Sequence, residues 1–297
     1  MLSILLLSAT ALVGTPAVTW TAPGSFIDGA PFQVSVEITV PEGGATVPAW
    51  LVSGAAFEVN GKALGDRGGD ATLAMAAGAH MTLSYDLGPM IASANGLSGK
   101  DFKLGFAKDF DSAAASEVNV YQAAPNGLDF MSMPAAELSN FSIVMNTTRG
   151  EMVMEMWPDN APNHVRNFLD LSYNKFYNGL TFHRVIPGFM IQGGCPNGAG
   201  NGNGPRMVKA EFSDSKAHSH VPGVLSMART NDPDSASCQF FVMHENSAHL
   251  DGKYSAFGKL ISGIEIVDMI VSTPTNAGAK PTPTQYILSS TVVRAAK

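Results

Sequence analysis

The chain has 297 residues, enough for two packed domains, and is 45% hydrophobic against 14% charged, which excludes a disordered chain. Its net charge of -7 is uneven: residues 1–138 hold 5 Lys and Arg against 13 Asp and Glu, net -8, while residues 139–297 hold 13 against 12, net +1. No basic stripe exists to neutralise phosphates, so a nucleic-acid partner is excluded, and the asymmetry predicts two units with different surfaces.

Residues 2–13 are apolar apart from Ser3, Ser8 and Thr10. The stretch is too short to span a bilayer, and no transmembrane segment is expected. It reads as the apolar core of a secretory signal, with small-residue cleavage options at Ala9-Thr10-Ala11 or Thr15-Pro16-Ala17. Residues 1–17 are therefore expected to be a signal segment, and the protein to be exported to a periplasmic or extracellular space. No Lys or Arg precedes Lys62, so the positive start of such signals is missing. The alternative is a cytoplasmic protein in which this stretch is a buried first strand.

Residues 18–122 repeat short apolar runs between Gly, Pro, Asn and Asp turns. Residues 32–40 alternate with period two, as a half-buried strand does, and similar runs are 56–59, 80–85, 102–106 and 117–121. Strands at that spacing predict a small antiparallel β-sandwich, immunoglobulin-like in kind. The segment holds one histidine, His80, and no catalytic constellation, so it is expected to be a spacer or a module that docks to a partner or the cell envelope.

Residues 123–139, with Pro125, Asn126, Gly127 and Pro134, read as a linker. A second domain, residues 140–297, opens on a hairpin: residues 141–146 and 151–157 flank Thr147-Thr148-Arg149-Gly150. Pro162 then starts a helix with Val165, Phe168, Leu169 and Ser172 on its inner face. A second helix is expected over residues 264–271, with Ile264, Val267 and Ile270 or Val271 sharing a face. Two helices among many strands suit a closed sheet capped at its ends.

Two alternating runs carry the chemistry. The first is Phe182-His183-Arg184-Val185-Ile186-Pro187-Gly188-Phe189-Met190-Ile191-Gln192-Gly193-Gly194, and the second is Ser237-Cys238-Gln239-Phe240-Phe241-Val242. Together they describe a shallow apolar pocket on a sheet, with one cation, Arg184, and two amides, Gln192 and Gln239, at its rim. Such a site can grip a proline ring and polarise the amide beside it, and it needs no nucleophile. His183 is expected to be a packed histidine. Cys195 and Cys238 adjoin the two runs and are too few for a disulfide scaffold or a zinc site. They are either packed thiols or a redox-sensitive bridge across the rim. His218-Ser219-His220 and His244 with His249 lack the cysteine or acid spacing of a metal site, and no metal or cofactor is expected. Residues 198–204 are glycine-rich without a Gly-Lys-Ser/Thr ending, which makes them a flexible loop and no phosphate cradle.

From Phe141 onward the ordered motifs resemble the cyclophilins, peptidyl-prolyl cis-trans isomerases, in a bacterial-like form. The landmarks are Ala161-Pro162, Phe176-Tyr177-Asn178-Gly179, Phe182-His183-Arg184, the Pro187 to Gly194 run, Gly223-Val224-Leu225-Ser226-Met227-Ala228-Arg229, Gln239-Phe240-Phe241, Leu250-Asp251-Gly252-Lys253-Tyr254 and Phe257-Gly258-Lys259. The resemblance implies a mainly β protein whose second domain is a closed antiparallel eight-stranded barrel capped by two helices. It implies that Arg184 is catalytic, that Phe189, Met190, Phe241 and Leu250 floor the proline pocket, and that Gln192, Gln239, Ala228 and Arg229 hold the substrate backbone. Two positions depart from the family pattern: His249 stands where many members carry a tryptophan, which contributes to cyclosporin binding, and Tyr254 stands where a histidine often lines the pocket. The expected activity is isomerisation of X-Pro bonds in polypeptides, assisting folding. The rival expectation is a proline-binding module or chaperone-like scaffold with little turnover.

Overall fold

The computed structural model describes residues 14–94, 100–107 and 115–295. Its contacts divide the chain into two units, one ending at Gln122 and one starting at Ala123. Residues 1–13, most of the expected signal segment, lie outside the described residues, and Ala17 is already the first residue of a strand, Ala17–Thr21. Among the described residues no helix is long and apolar enough to cross a membrane.

The first unit is built of three sheets. Ala17–Thr21, Gln33–Thr39 and His80–Asp86 form one, with Gln33–Thr39 central. Ser25–Ile27, Ser116–Tyr121, Phe102–Phe106, Phe57–Val59 and Lys62–Ala63 form the second, and Ala45–Pro48 pairs with Thr72–Met75 in a third. Period-two patterning sends Val34, Val36 and Ile38 inward, where they share one apolar cluster with Phe57, Phe102, Leu104 and Val118 of the second sheet. Trp20 and Tyr85 meet Phe57 edge-on, with ring centroids 5.8 and 6.2 Å away. One pair departs from the predicted antiparallel pattern: Ser116–Tyr121 runs parallel to Ser25–Ile27. Most of the unit separates these strands in sequence, so no tight hairpin dictates their direction.

The segment expected to be a linker is part of the second unit. Ala124 N donates to Val292 O at 2.9 Å, and the fully buried Phe130 lies edge-on to Phe141 and Tyr173, centroids 5.0 and 5.4 Å apart. Leu138, at the end of the short helix Ala135–Leu138, is also buried. Apolar anchors among prolines and glycines dock the segment where its turn residues alone suggested a free tether.

Eight strands make the sheet of the second unit: β1 (Phe141–Thr147), β2 (Gly150–Met156), β3 (Phe182–Ile186), β4 (Met190–Gly193), β5 (Val224–Met227), β6 (Phe240–Met243), β7 (Ala256–Ser262) and β8 (Ile287–Arg294). Their order is β3-β4-β6-β5-β7-β2-β1-β8, antiparallel throughout. The closed barrel that was expected is instead an open, curled sheet. No ladder joins β3 to β8; among the described residues the two ends meet at the isolated bridge Thr181 to Tyr286, flanked by Phe182 N to Gln285 O at 3.0 Å, Ile287 N to Leu180 O at 2.8 Å and Gly179 N to Ile287 O at 2.8 Å. The pairing stays short because β3 begins at Phe182 and β8 at Ile287, just where the bridge ends.

Two helices pack on this sheet, α1 (Pro162–Tyr173) and α2 (Ile264–Val271). In α1 Val165, Phe168, Leu169 and Ser172 are buried, as their spacing requires. In α2 the inner face is Ile266, Val267, Ile270 and Val271, whereas Ile264, expected inward, stands 40% exposed on the first turn. The N-terminus of α1 carries Pro162, which has no N–H to leave unpaired, and Glu211, which accepts from Asn163 N and His164 N at 3.0 to 3.1 Å. Burial works to raise the Glu211 carboxyl pKa, but the bonds from His164 and Asn163 outweigh it and hold it below the usual value.

Phe168 carries the helix onto the sheet, with ring centroids 5.1 Å from Tyr177, 5.0 Å from Phe240 and 4.9 Å from Phe257. Phe168→Ala should therefore cost about 3–5 kcal/mol, as large-to-small core changes do. The check is denaturant unfolding of the full chain; a midpoint unmoved for the second unit would show that α1 does not depend on this ring.

Candidate active site

The register of four neighbouring strands sets one row of side chains across the sheet. Arg184 on β3 is opposite Gln192 on β4, Gln192 is opposite Phe241 on β6, and Phe241 is opposite Ser226 on β5. Directly opposed residues share a face. The other face of these strands presents Val185, Ile191, Val242, Leu225 and Phe240 to the main core. These strands are thus apolar on both faces, which is why β5 and β6 are buried at every residue.

On the outer face lies a separate apolar cluster. Met190, Val224, Phe241, Met243, Leu250 and Ala256 are its buried members, and Trp157, Ile186, Phe189, Ala228 and Tyr254 pack around them. The expected floor residues Phe189, Met190, Phe241 and Leu250 are all brought together here. Trp157, Ile186, Val224 and Met243 were not foreseen; the alternation within β5 and β6 was the signal that could have found the last two. Phe189 is delivered by a turn in which its N–H bonds Ile186 O at 3.1 Å, with Pro187 second and Gly188 third at φ 75°. That backbone requires a residue free to take positive φ, which Gly188 supplies. His249, on the turn Ala248–Leu250, lies against Phe189 with centroids 5.8 Å apart, and Tyr254 meets Phe241 edge-on at 5.9 Å. Arg229 lays its guanidinium 4.4 Å over the Tyr254 ring and bonds Lys253 O at 2.9 Å, so it extends the rim and leaves the floor apolar.

Arg184 is half-buried, and among the described residues it forms no ion pair. A polar relay holds it. Arg184 Nη1 donates to Gln192 Oε1 at 3.3 Å, and Gln192 Nε2 donates to Gln239 Oε1 at 3.1 Å. Gln239 Nε2 in turn donates to the carbonyls of Gly200 and Gly202, both at 2.9 Å. The two glutamines, expected to bond the substrate backbone, therefore bond each other and the loop. Gln239 is a strut between the sheet and residues 198–204. The glycines that suggested only flexibility supply its two acceptors. Beside the relay lies a polar cavity of about 280 Å³, walled by Gln192, Gln239, Ala228, Arg229, Thr230 and Ser235. Ala228 N is engaged by Gln239 O at 2.9 Å.

Beneath the pocket a second network was not foreseen. His220 Nδ1 lies 2.8 Å from Asp251 Oδ1 and its Nε2 lies 3.0 Å from Ser226 Oγ. Burial holds the His220 imidazole below its ordinary pKa, outweighing Asp251, which pulls it up. Because an ionised Asp251 only accepts, the proton of the neutral ring sits on Nδ1, and Nε2 accepts from the Ser226 hydroxyl. The order Asp, His, Ser matches a hydrolytic triad, but Ser226 has no solvent exposure and stands opposite Phe241. The network is a brace: His220 stacks on Phe241 at 6.2 Å and 22°. Two further histidines near the pocket have partners of their own. His218 packs on Trp157 at 4.9 Å, and His244 Nδ1 accepts from Gly188 N at 3.1 Å. His183 is buried, as expected of a packed histidine, with its imidazole pKa lowered mainly by that burial.

A half-buried cation bonded to the Gln192 amide thus stands beside an apolar cluster on the outer face. The profile described as Cyclophilin type peptidyl-prolyl cis-trans isomerase/CLD matches residues 142–292. The chain belongs to this family. It is 48% identical over 111 residues to peptidyl-prolyl cis-trans isomerase B of Bacillus subtilis, covering 37% of this chain and 76% of that protein. It is 45% identical over 116 residues to a peptidyl-prolyl cis-trans isomerase of Synechococcus elongatus, covering 39% and 77%. A solved cyclophilin type isomerase from Cryptosporidium parvum is 30% identical, covers 52% of this chain and 99% of its own, and superposes with a TM-score of 0.48.

The buried His220 sets a pH dependence. A folded pKa below the unfolded one, about 6.5 for histidine, means the unfolded chain binds more protons as pH falls through that value. The stability contributed by neutral His220 is thus present above about pH 6.5 and lost as the solution is acidified. In unfolding measurements on the full chain, His220→Gln should be less stable at neutral pH and should lose stability less steeply just below that value. Parallel slopes for the two proteins would show that His220 titrates normally.

Proposed function

We propose that Arg184 is the catalytic group of this peptidyl-prolyl cis-trans isomerase and that Phe189, Met190, Phe241 and Leu250 hold the substrate proline. The single observation that carries this reading is the unpaired guanidinium held by amides at the lip of an apolar floor. An X-Pro bond isomerises over a barrier of about 18–20 kcal/mol because amide resonance is lost midway. In the twisted state the prolyl nitrogen regains its lone pair and accepts a hydrogen bond. A donor aimed at that nitrogen binds the twisted state better than either planar one, which is what acceleration requires. Arg184 supplies fixed charge and several donors from a planar fork, and a carboxylate partner would have quenched it.

The relay partners act by positioning. Gln192 and Gln239 keep the guanidinium over the floor, and Ala228 and Arg229 line the path of the substrate backbone. His249 and Tyr254 replace an indole and an imidazole of the family pattern with rings that still close the pocket wall. We further propose that the protein is exported and assists folding of proline-containing clients, and that the first unit is an immunoglobulin-like sandwich serving as its docking module. Supporting that role, the first unit has a cavity of about 740 Å³ beside Val59, Lys62, Leu64 and Met90.

In a cis-to-trans exchange assay on an Ala-Pro-Phe peptide, Arg184→Ala should lose about two orders of magnitude in kcat/KM, the scale of one lost transition-state donor. A wild type that binds the peptide without accelerating exchange would make the site a proline-recognition module. Gln192→Ala should lose less, about tenfold, since a guanidinium without its orienting partner is displaced rather than removed. A loss equal to that of Arg184→Ala would mean the glutamine itself contacts the reacting amide. Export has its own check: protein purified from its native host should begin after Ala11 or Ala17, and a retained Met1 would overturn cleavage.

A further inference from the structure

The β4–β6 ladder pairs Met190 with Met243, Ile191 with Val242, Gln192 with Phe241 and Gly193 with Phe240. Cys195 and Cys238 lie just past the end of that ladder, two residues beyond Gly193 and Phe240 on the two strands. Both thiols are buried, and both touch the same loop residue: Gly202 N donates to Cys195 Sγ at 3.3 Å, and Cys238 Sγ lies 3.9 Å from Gly202 O. Gly200 N also donates to Cys195 Sγ at 3.2 Å. These are the glycines whose carbonyls hold Gln239. The sulfur of Cys195 thus pins the loop on which the Arg184 relay ends.

We propose that Cys195 and Cys238 are a redox-active pair which a hydroperoxide converts to a disulfide, and that this modification slackens the relay to Arg184. Their shared contact with Gly202 brings the two sulfurs near each other, and closure asks for Cβ atoms about 3.5–4.5 Å apart. The strand already leaves its ladder there, at Gly194 with φ 82°. The two thiols are chemically unequal. Burial acts to raise the Cys195 pKa, but N–H groups of Gly202, Asn197, Gly200 and Ala199 outweigh it and bring it below the ordinary value. Cys238 is pushed up to about 11 by burial and then by Cys195. Cys195 is the nucleophile of such a pair and Cys238 the resolving thiol.

The steps balance. The Cys195 thiolate attacks one peroxide oxygen; the S–O bond forms as O–O breaks, and the departing hydroxide takes a proton and leaves as water. Cys238 then attacks the sulfenyl sulfur; S–S forms, S–O breaks, and the Cys238 proton leaves with the hydroxide as water. Two electrons pass from the thiols to the peroxide. The sulfur, drawn toward Cys238, ceases to accept from Gly200 and Gly202, and the loop releases Gln239.

The test treats the folded full-length protein with hydrogen peroxide, blocks free thiols, and maps tryptic peptides without reduction alongside the exchange assay. Residues 185–206 and 230–253 should appear as one linked species, kcat/KM should fall about tenfold as displaced catalytic groups do, and dithiothreitol should restore it. In Cys238→Ser, dimedone should trap a sulfenic acid on Cys195 with no linked species. Thiols that both stay free in the folded protein overturn the pair, whatever the enzyme's activity. A link that leaves activity unchanged overturns the coupling. So does a loss that dithiothreitol fails to reverse, since that is the signature of Met190 oxidation.

Discussion

The structure turns on the need to hold a half-buried guanidinium in place without neutralising it. A carboxylate is the usual partner for a buried cation and, on the role proposed for Arg184, the one to avoid, because an ion pair would neutralise the charge that the twisted amide needs. Neutral amides solve the problem at the price of reach. Each glutamine must itself be satisfied, so the chain of donors runs from Arg184 through Gln192 and Gln239 until it meets fixed backbone acceptors at Gly200 and Gly202. The glycine loop is the far end of the relay from Arg184, and what anchors the loop bears on how Arg184 is held.

The same row explains why the strands look as they do. Arg184, Gln192, Phe241 and Ser226 lie on one face while Val185, Ile191, Val242 and Leu225 face the core. A sheet with a pocket on its outer face cannot show the apolar-in, polar-out alternation of a free surface. Its rigidity follows from being packed on both sides: α1 seats Phe168 against Phe240 from one side, and His220 seats Phe241 from the other. Adjacent residues of β6 thus carry the structural and the functional contact of the same strand.

Much of the second unit was legible because its chemistry is local. The α1 face came from spacing, the hairpin from Thr147 to Gly150, and Phe189, Met190 and Phe241 of the outer apolar cluster from two alternating runs, with Leu250 added by the family resemblance. What escaped depends on partners far apart in sequence. Nothing near Gln239 says that its amide meets a loop nearly forty residues earlier, or that Asp251 sits under His220. The linker reading failed for a related reason: Phe130 is one aromatic among turn residues, and only the tertiary slot beside Phe141 and Tyr173 makes it an anchor. In the first unit the strands were visible by alternation, but their directions were not, because alternation has no polarity and Ser25–Ile27 could join Ser116–Tyr121 either way round.

The brace under the pocket shows how one geometry can mean opposite things. An Asp-His-Ser array in an open cleft would be a nucleophile awaiting an acyl group. Here the hydroxyl is enclosed, its proton is given to His220, and the ring's flat face supports Phe241. Burial decides the role. The same burial that keeps His220 neutral encloses Ser226, and together they support Phe241 from below. Isomerisation needs no covalent bond, only a floor and a donor whose separation matches a twisted prolyl amide. On the role proposed for Arg184, the polar network under Phe241 supports that floor while it remains outside the chemistry.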